Sequence, residues 1–138
     1  MKHYSGKFFS FDYPPEAKVK TRRGGRQFFI RLGKLTSINI ELHSPGIANS
    51  LRMQWDYPPT RSGIRKKILP SVNVGEYRAD VLAIAFSDSE GFACGKQICM
   101  HMRCDSSHVF ITVDSEDDVQ IEDYDPIWQS FEILEEAL

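Results

Sequence analysis

The chain has 138 residues, 41% of them hydrophobic and 26% charged, with a formal net charge of -2. It is too apolar and too close to neutral for a disordered chain, and too short for two large domains, so residues 1–138 are read as one domain. No apolar run approaches the ~20 residues of a membrane-spanning helix, and residues 1–10 hold no apolar stretch of the signal-peptide kind, so a cytoplasmic protein without membrane association is expected.

Residues 8–13 read as a first strand, with Phe9, Phe11 and Tyr13 on one face and Phe8 and Ser10 on the other, stopped by Pro14-Pro15. Residues 19–26 are basic and hold the turn signal Gly24-Gly25. Residues 27–32 alternate with Phe28, Ile30 and Leu32 inward, and Gly33-Lys34 predicts a two-residue hairpin connection. Residues 35–43 carry the clearest alternation: Thr36, Ile38, Ile40 and Leu42 face the core, and Ser37, Asn39, Glu41 and His43 face water or a partner. Ser44-Pro45 then starts a helix over 45–57, with Ile47, Leu51 and Trp55 on one stripe. Residues 60–69, broken by Gly63 and Pro70, read as a loop or a helical turn, and 71–77 as at most a short strand.

Residues 79–86 are nearly all apolar, as in a central strand covered on both faces. Strands follow at 94–104, with Ile98, Met100 and Met102 inward, and at 108–114, with Val109, Ile111 and Val113 inward. An acidic loop spans 115–125, and Asp125-Pro126 opens a second helix packed by Ile127, Trp128 and Phe131. The predicted core is Ile38, Ile40, Leu42, Leu51, Trp55, Val81, Ala83, Ile111, Val113 and Trp128. The order βββ-α-βββ-α with short polar turns predicts an α+β fold, an antiparallel β-sheet with helices packed on its faces.

The opening Tyr4-Ser5-Gly6-Lys7-Phe8-Phe9-Ser10-Phe11-Asp12-Tyr13-Pro14 resembles the start of PsbP-like domains, an aromatic strand running into Tyr-Pro. The closing Ile127-Trp128-Gln129-Ser130-Phe131-Glu132-Ile133-Leu134 is similar to their last helix. The resemblance implies a layered fold around an antiparallel sheet and a binding protein rather than an enzyme, as in extrinsic photosystem subunits, a Ran GTPase binder and bacterial effector chaperones. It carries over no functional residue.

Charge divides the chain. Residues 1–69 hold 14 Lys and Arg against 4 Asp and Glu, and residues 70–138 hold 3 against 15. Asp114, Glu116, Asp117, Asp118, Glu122, Asp123 and Asp125 place seven carboxylates between positions 114 and 125. Such a segment suits a basic protein partner, for example a nuclease whose site expects phosphate, and an immunity protein or effector chaperone is the leading reading. Arg22, Arg23 and Arg26 beside Phe28 and Phe29, joined by Arg61, Arg65, Lys66 and Lys67, give the alternative, a nucleic-acid-binding module. The sequence pI of 6.1 weighs against it.

No cofactor or metal site is expected. Cys99 and His101 share a strand face that Cys104 does not, and the odd number of cysteines (Cys94, Cys99, Cys104) argues for reduced thiols. Asp114, Glu116 and Asp118 start with calcium-loop spacing, but Val119 stands where such a loop needs Gly and Asp125 where it needs Glu. No nucleophile motif is present. The histidines His3, His43, His101 and His108 are scattered in the sequence, and His43 with Glu41 is the one base-and-orienter pair that an enzyme reading would use.

Overall fold

The computed structural model describes residues 1–58 and 62–134. In chain order these residues form β1 (Lys2–Ser5), β2 (Phe9–Tyr13), β3 (Lys18–Arg22), β4 (Gln27–Leu32), β5 (Thr36–His43), α1 (Pro45–Met53), β6 (Ile64–Val74), β7 (Tyr77–Ser87), β8 (Ala93–Arg103), β9 (His108–Ser115), α2 (Asp125–Ser130) and β10 (Glu132–Ile133). The fold is α+β, with two sheets, every strand pair of which is antiparallel. The small sheet runs β1-β2-β10 and the large one β3-β4-β5-β9-β8-β7-β6.

The core follows from the pleat. Alternate residues of a strand point to the same face, so apolar residues in register stack into rows across the sheet. One row runs Phe28, Ile40, Ile111, Met100 and Val81; the next runs Ile30, Ile38, Val113 and Ile98; a third runs Leu42, Val109, Met102 and Ala79. All of these are buried. The small sheet and α2 cover this dry face. Phe9 and Phe11 of β2 reach across, and the Phe11 and Phe28 rings meet edge-on at 4.8 Å. Trp128 of α2 is 1% exposed, and its indole Nε1 donates to the Ile121 carbonyl at 2.9 Å.

Several expectations are corrected. Residues 8–13 hold the second strand: β1 precedes it, with Tyr4 as its one apolar contact point, 4.2 Å between centroids from Phe28. Residues 18–22, read only as part of a basic turn, are a strand exposed along its whole length. The 33–35 connection has three residues, because Leu32 pairs with Thr36. Residues 64–74, read as a loop and a short strand, form one eleven-residue strand. It lies at the sheet edge, where Pro70 is tolerated beside a bulge between Leu69 and Val72. β7 lies one strand in from that edge. Its second face is only partly covered, with Leu82 buried and Ile84 half-buried; on the dry face Ala83, expected in the core, is only half-buried.

The predicted helix 45–57 is α1 followed by a 3-10 turn, Gln54–Asp56. Its inward residues are Ala48 and Trp55, while Ile47 is 51% exposed and Leu51 half-buried, because the small Ala48 is what lets the helix approach the sheet. The order predicted from sequence therefore lacks β1, β3, β6 as one long strand, and β10. Among the described residues no helix is long and apolar enough to cross a membrane.

The β6–β7 turn is welded to the C-terminal segment at Gly75. Its N–H donates to the Trp128 carbonyl at 2.7 Å, its φ is +59°, and a Cβ there would run into the Phe131 carbonyl oxygen. Gly75→Ala should therefore cost well over the about 1–2 kcal/mol of left-handed alanine, whereas Gly33→Ala, with φ +67° and open space around it, should cost only that. Ile40→Ala, in the middle of the dry face, should cost about 2–5 kcal/mol. Urea midpoints of the three variants check all of this, and an unchanged Ile40→Ala midpoint would refute the face assignment.

Candidate functional site

The second face of the large sheet is polar and wet. α1 and its 3-10 turn lie across the β9-β8-β7 part of it. The β3-β4-β5 part carries Lys18, Lys20, Arg22, Phe29 and Arg31 by register.

The register brings together three histidines that are far apart in sequence. His43 of β5 and His108 of β9 are direct partners, and His101 of β8 lies beside them through Phe110. His101 Nε2 and His108 Nδ1 are 2.8 Å apart, and Arg52 Nη1 lies 2.9 Å from His101 Nδ1. A guanidinium only donates, so His101 Nδ1 is the acceptor. His101 Nε2–H then donates to His108 Nδ1, and the His108 proton sits on Nε2. Arg52 also donates to Asp80 Oδ2 at 2.8 Å and stacks over Trp55 at 4.3 Å, so this network clips α1 to the sheet. Burial pushes His101 down to about 4, and the charges of Arg52, His108 and Arg103 add to it; burial and Arg103 lower His108 as well.

Beside this chain Glu41 gathers three donors. Gln27 Nε2 donates to its Oε1 at 3.0 Å, Asn39 Nδ2 to the same oxygen at 2.9 Å, and His43 Nε2 to Oε2 at 2.8 Å. Burial alone would raise the Glu41 carboxyl; the hydrogen bonds from His43 and Asn39, with the charges of His43 and Arg23, outweigh it and hold the group below the usual range. His43 was expected to face water. It is 7% exposed instead, and its Nδ1 is buried without a hydrogen-bond partner. The Glu41–His43 pair thus has the orientation of a general base but no opening through which a substrate could reach that nitrogen.

The lone pairs of this cluster are largely spent on one another, and among the described residues no three His, Cys, Asp or Glu side chains converge on a possible metal site. Cys94 is exposed; Cys99 and Cys104 are half-buried thiols. Burial, with Asp114 adding, pushes Cys99 up to about 11, which removes it as a nucleophile at neutral pH.

The acidic residues divide into two groups. Asp114, Glu116, Asp117 and Asp118 are exposed at the end of β9, where buried Ser115 and Val119 pin the backbone. Asp114 accepts from Gln97 at 2.8 Å, and Asp118 pairs with Lys96 at 3.3 Å. Glu122 and Asp123 lie in a 3-10 turn, Ile121–Tyr124, and half-buried Asp125 opens α2. A cavity of about 290 Å3 lies against Asp114 and Glu116, lined also by Phe29, Arg31 and Lys96.

The basic residues are not brought together. Arg22, Arg23 and Arg26 surround the β3–β4 turn, while Arg65, Lys66 and Lys67 lie on β6; Arg61 is outside the described residues. β3 and β6 are the opposite edges of the large sheet, six strand spacings or roughly 29 Å apart. Several of these side chains have local partners. Arg26 stacks over Phe8 at 5.0 Å, and Lys66 Nζ donates to the Gln54 and Tyr57 carbonyls, each at 3.0 Å. Of the two adjacent phenylalanines, Phe28 is buried and only Phe29 is exposed.

No protein-family model and no curated protein matches the chain. A solved structure from Bacteroides thetaiotaomicron VPI-5482, determined at 1.50 Å resolution, is similar to it with a TM-score of 0.62 and 10% identity, over 93% of this chain and 46% of that one. The likeness is one of fold alone, and the chain spans about half the length of that neighbour.

The histidines should make stability depend on pH. Their folded pKa values lie below the ordinary 6.5, so between pH 6.5 and about 4 the unfolded chain binds more protons than the folded one. Stability is then complete above pH 6.5 and falls as the pH falls through this window. The urea midpoint should drop from pH 7 to pH 4.5, and the drop should be smaller in His101→Gln, which keeps an acceptor for Arg52.

Proposed function

We propose that this chain is a non-catalytic protein-binding module that holds a basic partner through its acidic connection. The observation that carries this reading is the pinning of the backbone of Glu116, Asp117 and Asp118 between the buried Ser115 and Val119: three exposed carboxylates project from a short anchored segment, and Lys96 makes the one ion pair with them among the described residues. Clustered like charges repel each other and add nothing to a core, whereas a preorganised acidic face speeds encounter with a basic surface and lowers the ordering cost of holding it. The adjoining cavity beside Asp114 and Glu116 offers a place for an anchoring side chain of the partner. The PsbP-like resemblance of the terminal segments points the same way, toward a binding protein of the kind that an immunity protein or effector chaperone is.

The nucleic-acid reading has less support. Its two basic clusters lie on opposite edges of the sheet, and Lys and Arg on edge strands have another use there, which is to keep the edges from pairing with other chains. The enzyme reading rests on Glu41–His43, whose remaining nitrogen is sealed.

Replacing Glu116, Asp117 and Asp118 by Gln, Asn and Asn should leave the fold intact and slow association with a partner captured from host lysate. The loss should be largest at low salt, because steering between exposed charges is screened within about 10 Å at 0.1 M. Equal association rates for parent and triple variant at low salt would overturn the reading. Dependence on Arg22, Arg23 and Arg26 with an RNA or DNA ligand would favour the alternative.

A further inference from the structure

A second cavity lies between α1 and the wet face of the large sheet. It has a volume of about 250 Å3, and Glu41, Trp55, Phe110 and Lys66 are among its lining residues. Leu51, Leu82 and Ile84 supply an apolar floor and roof. Contacts at the C-terminal end of α1 hold the helix over this gap. Arg52 ties α1 to Asp80 and His101, and Lys66 ties the residues after α1 to the edge strand through the Gln54 and Tyr57 carbonyls.

We propose that this cavity binds a small organic amine, protonated and carrying a compact apolar body of about one ring.

Three observations select that chemistry. Glu41 stands at the cavity with its side chain 25% exposed, so a ligand can reach it. A carboxylate offers about four acceptor positions, and Gln27, Asn39 and His43 occupy three of them. One position on Oε2 is left for an ammonium N–H, on a group whose three existing donors keep it ionised. Beside it, Trp55 and Phe110 line the cavity; Arg52 covers one face of Trp55 and His101 one face of Phe110, and the ring surface left toward the cavity attracts a cation. The cavity is smaller than the ~300–1,000 Å3 of sites for drug-sized ligands, which limits the body to about one ring. An anion is disfavoured at this end by Glu41. The ammonium of Lys66, which also lines the cavity, already serves two carbonyls.

Trp55 reports on the site, while Trp128, 1% exposed in the dry core, gives a constant background. The full chain is titrated at pH 7 with phenethylamine and with its neutral counterpart 2-phenylethanol, and the change in tryptophan emission is followed. Saturable binding of the amine, about tenfold tighter than that of the alcohol, is expected, since a hydrogen bond to a charged group is roughly twice as strong as a neutral one. Glu41→Gln should erase that preference and leave the weak binding of the alcohol. Leu51→Phe, which fills the cavity without touching Glu41, should abolish both, and it decides the matter if Glu41→Gln fails to fold by circular dichroism. Equal affinities for amine and alcohol, no saturation at millimolar amine, or undiminished amine binding in folded Leu51→Phe would overturn the proposal. Since the acidic connection is not part of this cavity, the outcome is independent of whether that connection binds a protein.

Discussion

The constraint on which the rest depends is the two-fold alternation of side chains through the middle of the large sheet. In the central part of β5, β9 and β8 every second residue is aliphatic or Met (Ile38, Ile40, Leu42; Val109, Ile111, Val113; Ile98, Met100, Met102), and one of the rows they form is continuous from Phe28 to Val81. That dry face gives the small sheet and α2 something to cover. It also leaves the intervening residues, Asn39, Glu41, Thr112, Cys99 and His101, on the other face with only a short helix for shelter. The polar networks and the cavity under α1 exist because a nine-residue helix is too short to cover a seven-stranded sheet. A longer or more apolar helix would have buried this face and demanded apolar residues there.

How much of this can be seen in the sequence depends on burial. Strands with one buried face announce themselves, so Ile38, Ile40 and Leu42, or Val109, Ile111 and Val113, were assigned to the core from spacing alone and are at most 1% exposed. The edge strands carry no such signal. β3 has no buried residue and β6 has lysines, a proline and a bulge, because an edge must discourage pairing rather than satisfy a core. Spacing also misled at α1, where Ile47 outweighs Ala48 in hydrophobicity but Ala48 is the residue that fits against the sheet. The tether of Gly75 to Trp128 had no sequence signature at all.

The candidate sites divide along the same line. The acidic run between 114 and 125 was visible as composition, and its exposure at 114–118 follows from the polar alternation of the segment. The histidine cluster was not visible, since His43, His101 and His108 become neighbours only through the β5–β9 and β9–β8 registers, which nothing local specifies. The one signal available was that all three occupy the polar phase of their strands. The basic clusters show the opposite failure, a grouping suggested by sequence that the sheet order separates.

The sheet order has a consequence for the birth of the chain. β3, β4 and β5 form one meander and β6, β7 and β8 another, and β9, the last of the seven to be synthesised, is inserted between them. Until residue 115 has left the ribosome, β5 and β8 both present open edges with an apolar face beside them. Among the described residues no strand of one meander pairs directly with a strand of the other. β9 joins β8 through a short turn, whereas its pairing with β5 is long-range, and such non-local strand pairing slows folding. A nascent chain stalled before β9 is two half-sheets in search of the same missing strand, and a β9 supplied by a neighbouring chain would satisfy them equally well, which makes exchange of that strand between copies the characteristic way for this protein to misassemble.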